Sequence, residues 1–175
     1  MTLLGFRGQN HPQQTAKRGA DDTVDDRETG PDTFAECTER WGPFDLDAAA
    51  ADHNAKCDNY FTLQDDALKH RWHAVSVWCN PPYSKTPTSD LGTWVAKAVE
   101  EWRGGAAGQV TMLLPANRTE QGWWQEHVEP NRHLDWMSTH FLRGRRRFIQ
   151  AGATEIKPNE RPPFGLVVVT IGLRD

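Results

Sequence analysis

The residues best equipped for chemistry in this chain are Asn80, Pro81, Pro82 and Tyr83, which follow the apolar run Val75–Cys79. The Asn80 side chain carries one carbonyl acceptor and one amide donor group. Pro81 and Pro82 have a fixed φ and no N–H, and each pushes the residue before it into an extended conformation. The carbonyls of this stretch therefore cannot be consumed by a continuing helix. They stay available as rigid acceptors beside the Asn80 oxygen. Two fixed acceptors suit a planar group with two N–H bonds, such as an exocyclic amine, and Tyr83 adds a flat face for stacking. Amine, ring and clamp together describe a nucleobase turned out of its helix. The plainer alternative is an Asn-Pro-Pro turn with Tyr83 on the surface. The run is too short for a polyproline ligand.

A second group of chemically capable residues is basic. Arg143, Arg145, Arg146 and Arg147 surround Gly144, and Arg118 follows Pro115 by three positions. An arginine cluster on a turn suits contact with phosphates, and Arg118 could reach a phosphate or an extruded base. Ion pairing on a solvated face is the competing explanation for all five. His53 and Cys57 are spaced i, i+4, and His70 and His73 i, i+3. Such spacings can ligate zinc. The two pairs are too scattered to form a recognisable metal motif, so no metal is expected.

These groups need elements to hold them. Residues 1–28 are polar and aperiodic, basic at Lys17 and Arg18 and then acidic from Asp21 to Glu28, and read as a flexible tail ahead of one domain at 29–175. From Pro31 the apolar spacing Phe34, Cys37, Thr38, Trp41 predicts a helix that stops at Gly42-Pro43. Phe44–Asp47 alternates like a short strand, and Asn59–Thr62 is a second candidate. Ala74–Cys79 is a near-continuous apolar run, the mark of a strand covered on both faces of a parallel sheet. Asp90 can cap a helix reaching about Trp102, ended by Gly104-Gly105. Val110–Leu114 is a further buried strand stopped by Pro115. Residues Glu120–Val128 read as a helix in which Trp123 and Trp124 are divided between core and groove. Leu134–Ile149 reads as β-structure with the arginine-rich turn, and Leu166–Ile171 as a last buried strand. Alternating strands and helices of this kind make an α/β domain with a mostly parallel sheet. Ligands bind such sheets beyond the carboxyl ends of the strands. Three predicted strands end in Asp47, Asn80–Tyr83 and Pro115, which the parallel sheet would bring to one edge.

Composition bounds the rest. The chain has 175 residues, a formal net charge of −4, and 37% hydrophobic residues. That is one domain with a modest core, and not a generally basic nucleic-acid binder. Nucleic acid would have to meet a local patch. The sequence has no apolar run long enough to span a membrane and no apolar leader segment. Three scattered cysteines argue against a disulfide framework. A reducing cytoplasm is the expected compartment.

Asn80-Pro81-Pro82-Tyr83 resembles the catalytic tetrad of amino-methyltransferases that use S-adenosyl-L-methionine. Further segments are similar to the phage-type DNA N6-adenine methyltransferase (Dam) family. They are Gly42–Ala50, Asn54–Cys57, Tyr60–Thr62, Asp65–Leu68 with Trp72, Leu114–Ala116 with Arg118-Thr119, and Gly144-Arg145 with Phe148. Each fragment is weak alone; their number and order, from about Thr29 to about Thr170, make the match specific. The sequence departs from the family at Gly30, which separates Thr29 from Pro31 where Thr-Pro is usual. The strand-end loop, Ala48–Ala51, is alanine-rich where many methyltransferases are glycine-rich, as it is in the phage family.

The resemblance implies a Rossmann-like methyltransferase fold and a definite set of roles. Asn80 and the Pro81 carbonyl would accept hydrogen bonds from the adenine amino group, and Tyr83 would stack on the base. The methyl group would pass directly, without a covalent enzyme intermediate, so orientation and electrostatics would supply most of the catalysis. Asp47 would face the methionine amino or ribose hydroxyl end of S-adenosyl-L-methionine, with Asp45 pointing the same way on an alternating strand. Asp65 or Asp66 would take the cofactor's adenine amine, Asp65 being preferred, and Ala48 and Thr29 complete the cofactor set. Plain turn or capping acids are the competing reading of these carboxylates. The implied partner is double-stranded DNA, and the implied location, for a phage or prophage gene, is the bacterial host cytoplasm. Competing functions are the same chemistry on cytosine N4, RNA adenine or a protein glutamine, and a non-catalytic nucleic-acid-binding module of the same fold.

Overall fold

The computed structural model describes residue 25, residues 28–149, residue 162 and residues 164–172. Of the tail expected at 1–28, residues 1–24, 26 and 27 lie outside the described residues, as do 150–161, 163 and 173–175. The elements in chain order are β1 (Glu28–Thr29), α1 (Pro31–Trp41), β2 (Leu46–Asp47), β3 (Asn59–Tyr60), β4 (Ala74–Cys79), α2 (Leu91–Arg103), β5 (Ala107–Pro115), α3 (Gly122–His127), β6 (Met137–Phe141), β7 (Phe148–Ile149) and β8 (Leu166–Ile171). Residues Ala67–Lys69 form a short 3-10 turn.

Six strands form one sheet in the order β3-β2-β4-β5-β8-β6. β3, β2, β4 and β5 are mutually parallel, and β8 runs antiparallel between β5 and β6. β1 and β7 make a separate antiparallel pair, Thr29 opposite Phe148. The mixed α/β architecture and mostly parallel sheet are those expected of a Rossmann-like methyltransferase fold.

The period-two alternation of each strand sorts its side chains into two cores. Val77 and Cys79 of β4, Val110, Met112 and Leu114 of β5, and Val167, Val169 and Ile171 of β8 meet Leu91, Trp94, Val95 and Ala98 of α2 and Trp123 and Trp124 of α3. The intervening Trp78, Leu113, Leu166 and Val168 meet Cys37 and Phe34 of α1. The sheet is therefore covered on both faces, which is why its central strands read as unbroken apolar runs.

Local chemistry sets the helix limits. Pro31 supplies the pre-set φ of α1's first turn. Asp90 and Thr93 cap α2 reciprocally, the Asp90 carboxylate accepting from the Thr93 backbone N–H at 3.0 Å. The end of α2 is tied to the segment leading into β4 by Glu101, a wholly buried acid. It pairs with Lys97 at 2.6 Å and Arg71 at 3.1 Å and accepts from the Trp72 N–H at 2.9 Å. Burial alone would push the Glu101 carboxyl up, but these donors outweigh it and hold it below the usual range.

Candidate active site

The chain runs from β2 outward to the edge strand β3, then returns to β4 on the other side of β2. That reversal makes a topological switch point between β2 and β4, where the carboxyl ends of parallel strands leave a crevice. Asp47 ends β2, and Asn80 lies two residues beyond Trp78, the register partner of Asp47. β5, which ends at Pro115, is the next parallel neighbour. The three marked strand ends thus share one edge of the sheet, as the sequence implies.

Asp47 is only 2% exposed. One carboxylate oxygen accepts from the Ala49 N–H at 3.2 Å and the other from the Lys56 N–H at 3.0 Å. Desolvation pushes its carboxyl up to about 6, although the two backbone donors and the nearby Lys56 ammonium pull the other way. A carboxylate offers about four acceptor positions, and these bonds use two. The remainder suits an ammonium group or hydroxyls arriving in the crevice. Ala48 is fully buried and its N–H continues the β2–β4 ladder to the Trp78 carbonyl at 2.8 Å.

The other implied cofactor residues are placed less directly. Asp45 bonds to the β4 backbone: its carboxylate accepts from the Ser76 N–H at 2.9 Å and its own N–H donates to the Ser76 carbonyl at 2.8 Å. It sits just ahead of β2, exposed, and ties the chain to β4 there, rather than pointing with Asp47 from an alternating strand. Asp65 is exposed and folds back on Thr62, accepting from its N–H at 2.8 Å and its hydroxyl at 2.7 Å, which holds the Asp65 carboxyl below its usual range. Asp66 takes a left-handed backbone and pairs with Lys69 at 2.7 Å. Thr29 is buried in β1, across from Phe148.

Asn80, Pro81, Pro82 and Tyr83 sit together at the end of β4. The Tyr83 hydroxyl lies 2.9 Å from the Leu113 carbonyl of β5 and 3.2 Å from Asn80 Oδ1, donating to either. Burial pushes this phenol far above its ordinary range, so it stays a neutral donor. The Tyr83 ring stands edge-on to Phe148, with centroids 6.1 Å apart, and tilted to Phe164 at 6.2 Å. Three rings from three chain segments therefore meet at Tyr83. The backbone after the prolines is also held. Tyr83 N–H and Ser84 N–H both donate to one Asp25 oxygen, at 2.9 and 3.1 Å, and Arg118 donates to the Tyr83 carbonyl at 3.0 Å.

The five arginines divide. Arg118 holds the Tyr83 carbonyl. Arg146 pairs with Glu36 of α1 at 2.6 Å and is bound into the protein. Arg147 lies just before β7, with its carbonyl against Gly30. Arg143 and Arg145 are exposed on the turn between β6 and β7. The cluster is thus partly structural, and its outward members are the two that flank Gly144.

Phe164, Asp25, Glu28 and Lys56 are site neighbours that sequence reading did not single out. Lys56 joins two parts of the site: its N–H reaches Asp47 and its ammonium pairs with Glu28. The Asn54–Cys57 run, whose Lys56 lies nine residues past Asp47, gave no charge-pattern signal of this, because the partners Lys56 and Glu28 are 28 residues apart.

The cysteines are free, and burial foremost pushes the thiols of Cys37 and Cys57 up to about 12 and that of Cys79 well above its usual value. They are protonated and do not supply a nucleophile. Among the described residues no three His, Cys, Asp or Glu side chains come close enough to hold a metal ion. His70 instead stacks on Phe61, centroids 5.6 Å apart. Among the described residues no helix is long and apolar enough to cross a membrane.

Comparison with known proteins gives a consistent result. The family described as "DNA N-6-adenine-methyltransferase (Dam)" matches residues 17–171. A DNA N-6-adenine-methyltransferase of Escherichia phage T1 is 34% identical over 99 residues, covering 56% of this chain and 38% of that protein. A DNA N-6-adenine-methyltransferase of Haemophilus phage HP1 is 44% identical over 41 residues, covering 23% of this chain and 24% of that protein. The match thus spans less than two fifths of the length of either relative.

Proposed function

The chain belongs to the DNA N-6-adenine-methyltransferase (Dam) family, and from that premise we propose that it methylates the exocyclic N6 amino group of adenine in double-stranded DNA, with S-adenosyl-L-methionine as donor. The observation that carries the proposal is the position of Asn80. It follows a parallel strand at the switch point, two residues beyond Trp78, the register partner of the buried Asp47, and its oxygen lies beside the Tyr83 hydroxyl.

The switch-point crevice and the spare acceptor capacity of Asp47 fit the cofactor. Asp47 and the close-packed Ala48 would hold it, with Asp65 and Thr29 at the periphery and Asp45 setting the strand on which Asp47 stands. When bound, S-adenosyl-L-methionine supplies an electrophilic methyl group. The chain's own residues do the rest. Asn80 Oδ1 and the Pro81 carbonyl accept the two N6–H bonds, which orients the amino group and raises electron density on its nitrogen. Tyr83, backed by Phe148 and Phe164, stacks on the extruded adenine. No strong base is needed, because the amine gives its proton to water as positive charge develops. Arg143 and Arg145 meet phosphates as exposed cations, while Arg118 and Arg146 shape the surface around them.

The test is incubation of the protein with methyl-labelled S-adenosyl-L-methionine and plasmid DNA lacking adenine methylation, followed by digestion and nucleoside identification. Label in N6-methyl-2'-deoxyadenosine is expected. Label in N4-methylcytosine would move the activity to the other exocyclic amine. Absence of label, with DNA still bound, would leave a binding module.

A further inference from the structure

The two prolines that stiffen the site also strip it of donors. Neither Pro81 nor Pro82 has an N–H, so the first backbone donors after Asn80 belong to Tyr83 and Ser84. Both point at one oxygen of Asp25, at 2.9 and 3.1 Å. The carbonyl between those two N–H groups, that of Tyr83, accepts from Arg118 at 3.0 Å. The backbone of Tyr83 is therefore held on its amide side by an anion and on its carbonyl side by a cation. The same residue's hydroxyl is fixed at the far end of the ring by Leu113 and Asn80. A ring anchored at both ends has its plane set before any base arrives.

Asp25 belongs to the stretch whose sequence reads as a flexible tail, yet it touches the catalytic loop across 58 residues of chain. Three positions later, Glu28 pairs with Lys56, whose backbone N–H holds Asp47. Thr29 pairs with Phe148, whose ring faces Tyr83. The described residues ahead of α1 thus touch the base-binding loop, the acid-bearing loop and the aromatic wall.

We propose that Asp25 is a positioning residue of the active site, gripping the Tyr83 and Ser84 N–H groups opposite Arg118 so that Tyr83 and Asn80 are pre-set for the extruded base. The role rests on the methyltransferase reading above. It acts on the chemical step rather than on cofactor capture, because Asp25 contacts the base-binding loop and not Asp47. A charge-assisted bond to two donors contributes enough order to matter: loss of it is expected to cost about tenfold or more in turnover.

Two readouts on the full chain test this. Amide hydrogen exchange, without DNA, should show Tyr83 and Ser84 exchanging about tenfold faster in Asp25→Ala, while the amides of β4 and β5 stay protected and report an intact fold. Steady-state kinetics should show kcat falling about tenfold while the KM for S-adenosyl-L-methionine moves less than about twofold. Asp25→Asn keeps one acceptor oxygen and should recover part of both effects. Unchanged exchange at Tyr83 and Ser84 would overturn the grip. Faster exchange with wild-type kcat would overturn the positioning role alone. A wild-type protein that transfers no methyl group would instead overturn the function on which the role rests.

Discussion

Asp47 is the most heavily desolvated acid of the site, and its replacement by Asn makes a quantitative test. In the folded protein its carboxyl lies at about 6, against 3.8 for an unperturbed aspartate. The folded state therefore holds a proton that the unfolded chain has already lost between those values. A raised acid contributes stability that is full below the unfolded value and is lost as pH climbs through the folded one. The gap is worth about 3 kcal/mol, at 1.36 kcal/mol for each pH unit, and roughly 2 kcal/mol of it is lost between pH 4.5 and 7.5. Asp47→Asn removes this titration. It also leaves an amide N–H2 facing a backbone N–H, which adds a penalty independent of pH. The difference in unfolding free energy between variant and wild type should thus shift in the variant's favour by roughly 2 kcal/mol from pH 4.5 to 7.5. Urea unfolding of both proteins across that range, without ligand, measures it. A pH-independent difference would refute the buried-charge account of Asp47. At neutral pH the same variant should bind S-adenosyl-L-methionine more weakly, since the ionised acceptor is gone.

Asn80→Ala should lower methyl transfer by about a hundredfold or more with the melting temperature little changed, because it removes an oriented acceptor from the surface of the site; near-normal turnover would exclude the proposed role. Tyr83→Ala should raise the KM for DNA by about tenfold or more through lost stacking, and change cofactor affinity much less; equal loss of both would count against stacking. Replacing Arg143 and Arg145 by alanine should reduce the slope of log affinity against log salt by up to about 2, read by DNA-binding titration at several salt concentrations. An unaltered slope would return both to a solvated surface. Glu101→Ala should destabilise the fold by about 3 kcal/mol in denaturant unfolding, since it strands Lys97 and Arg71 and leaves the Trp72 N–H without its acceptor.

The central strands were legible because burial on both faces leaves a continuous apolar signature: Ala74–Cys79 and Leu166–Ile171 have the limits the sequence suggests. α1 and the Asp90 cap of α2 were legible for a similar reason, since proline and capping residues act within one turn. The short strands were less so. Phe44–Asp47 reduces to Leu46–Asp47, because Asp45 turns its carboxylate onto the Ser76 N–H at the entry to the strand. The Asn80–Tyr83 run after β4 was visible as local chemistry, but its supports were not. Asp25, Phe164 and Lys56 reach it only through tertiary contacts with no fixed sequence spacing. The arginine cluster shows the same limit from the other side: four similar residues around Gly144 say nothing of which one Glu36 will claim.

β8 lies between β5 and β6, antiparallel to both, although it is the strand furthest along the described chain. As the polypeptide leaves the ribosome, the strands that carry Asp47 and Asn80 are therefore complete well before the strand that seals the sheet. Until Leu166–Ile171 emerges, β5 has a bare apolar edge and β6 has no neighbour to pair with. Such an edge is an invitation to pair with another chain. The nascent site thus depends for its protection on the last of the described strands to be made, and a chain interrupted between Pro115 and Leu166 would hold Asn80–Tyr83 on an open, aggregation-prone sheet.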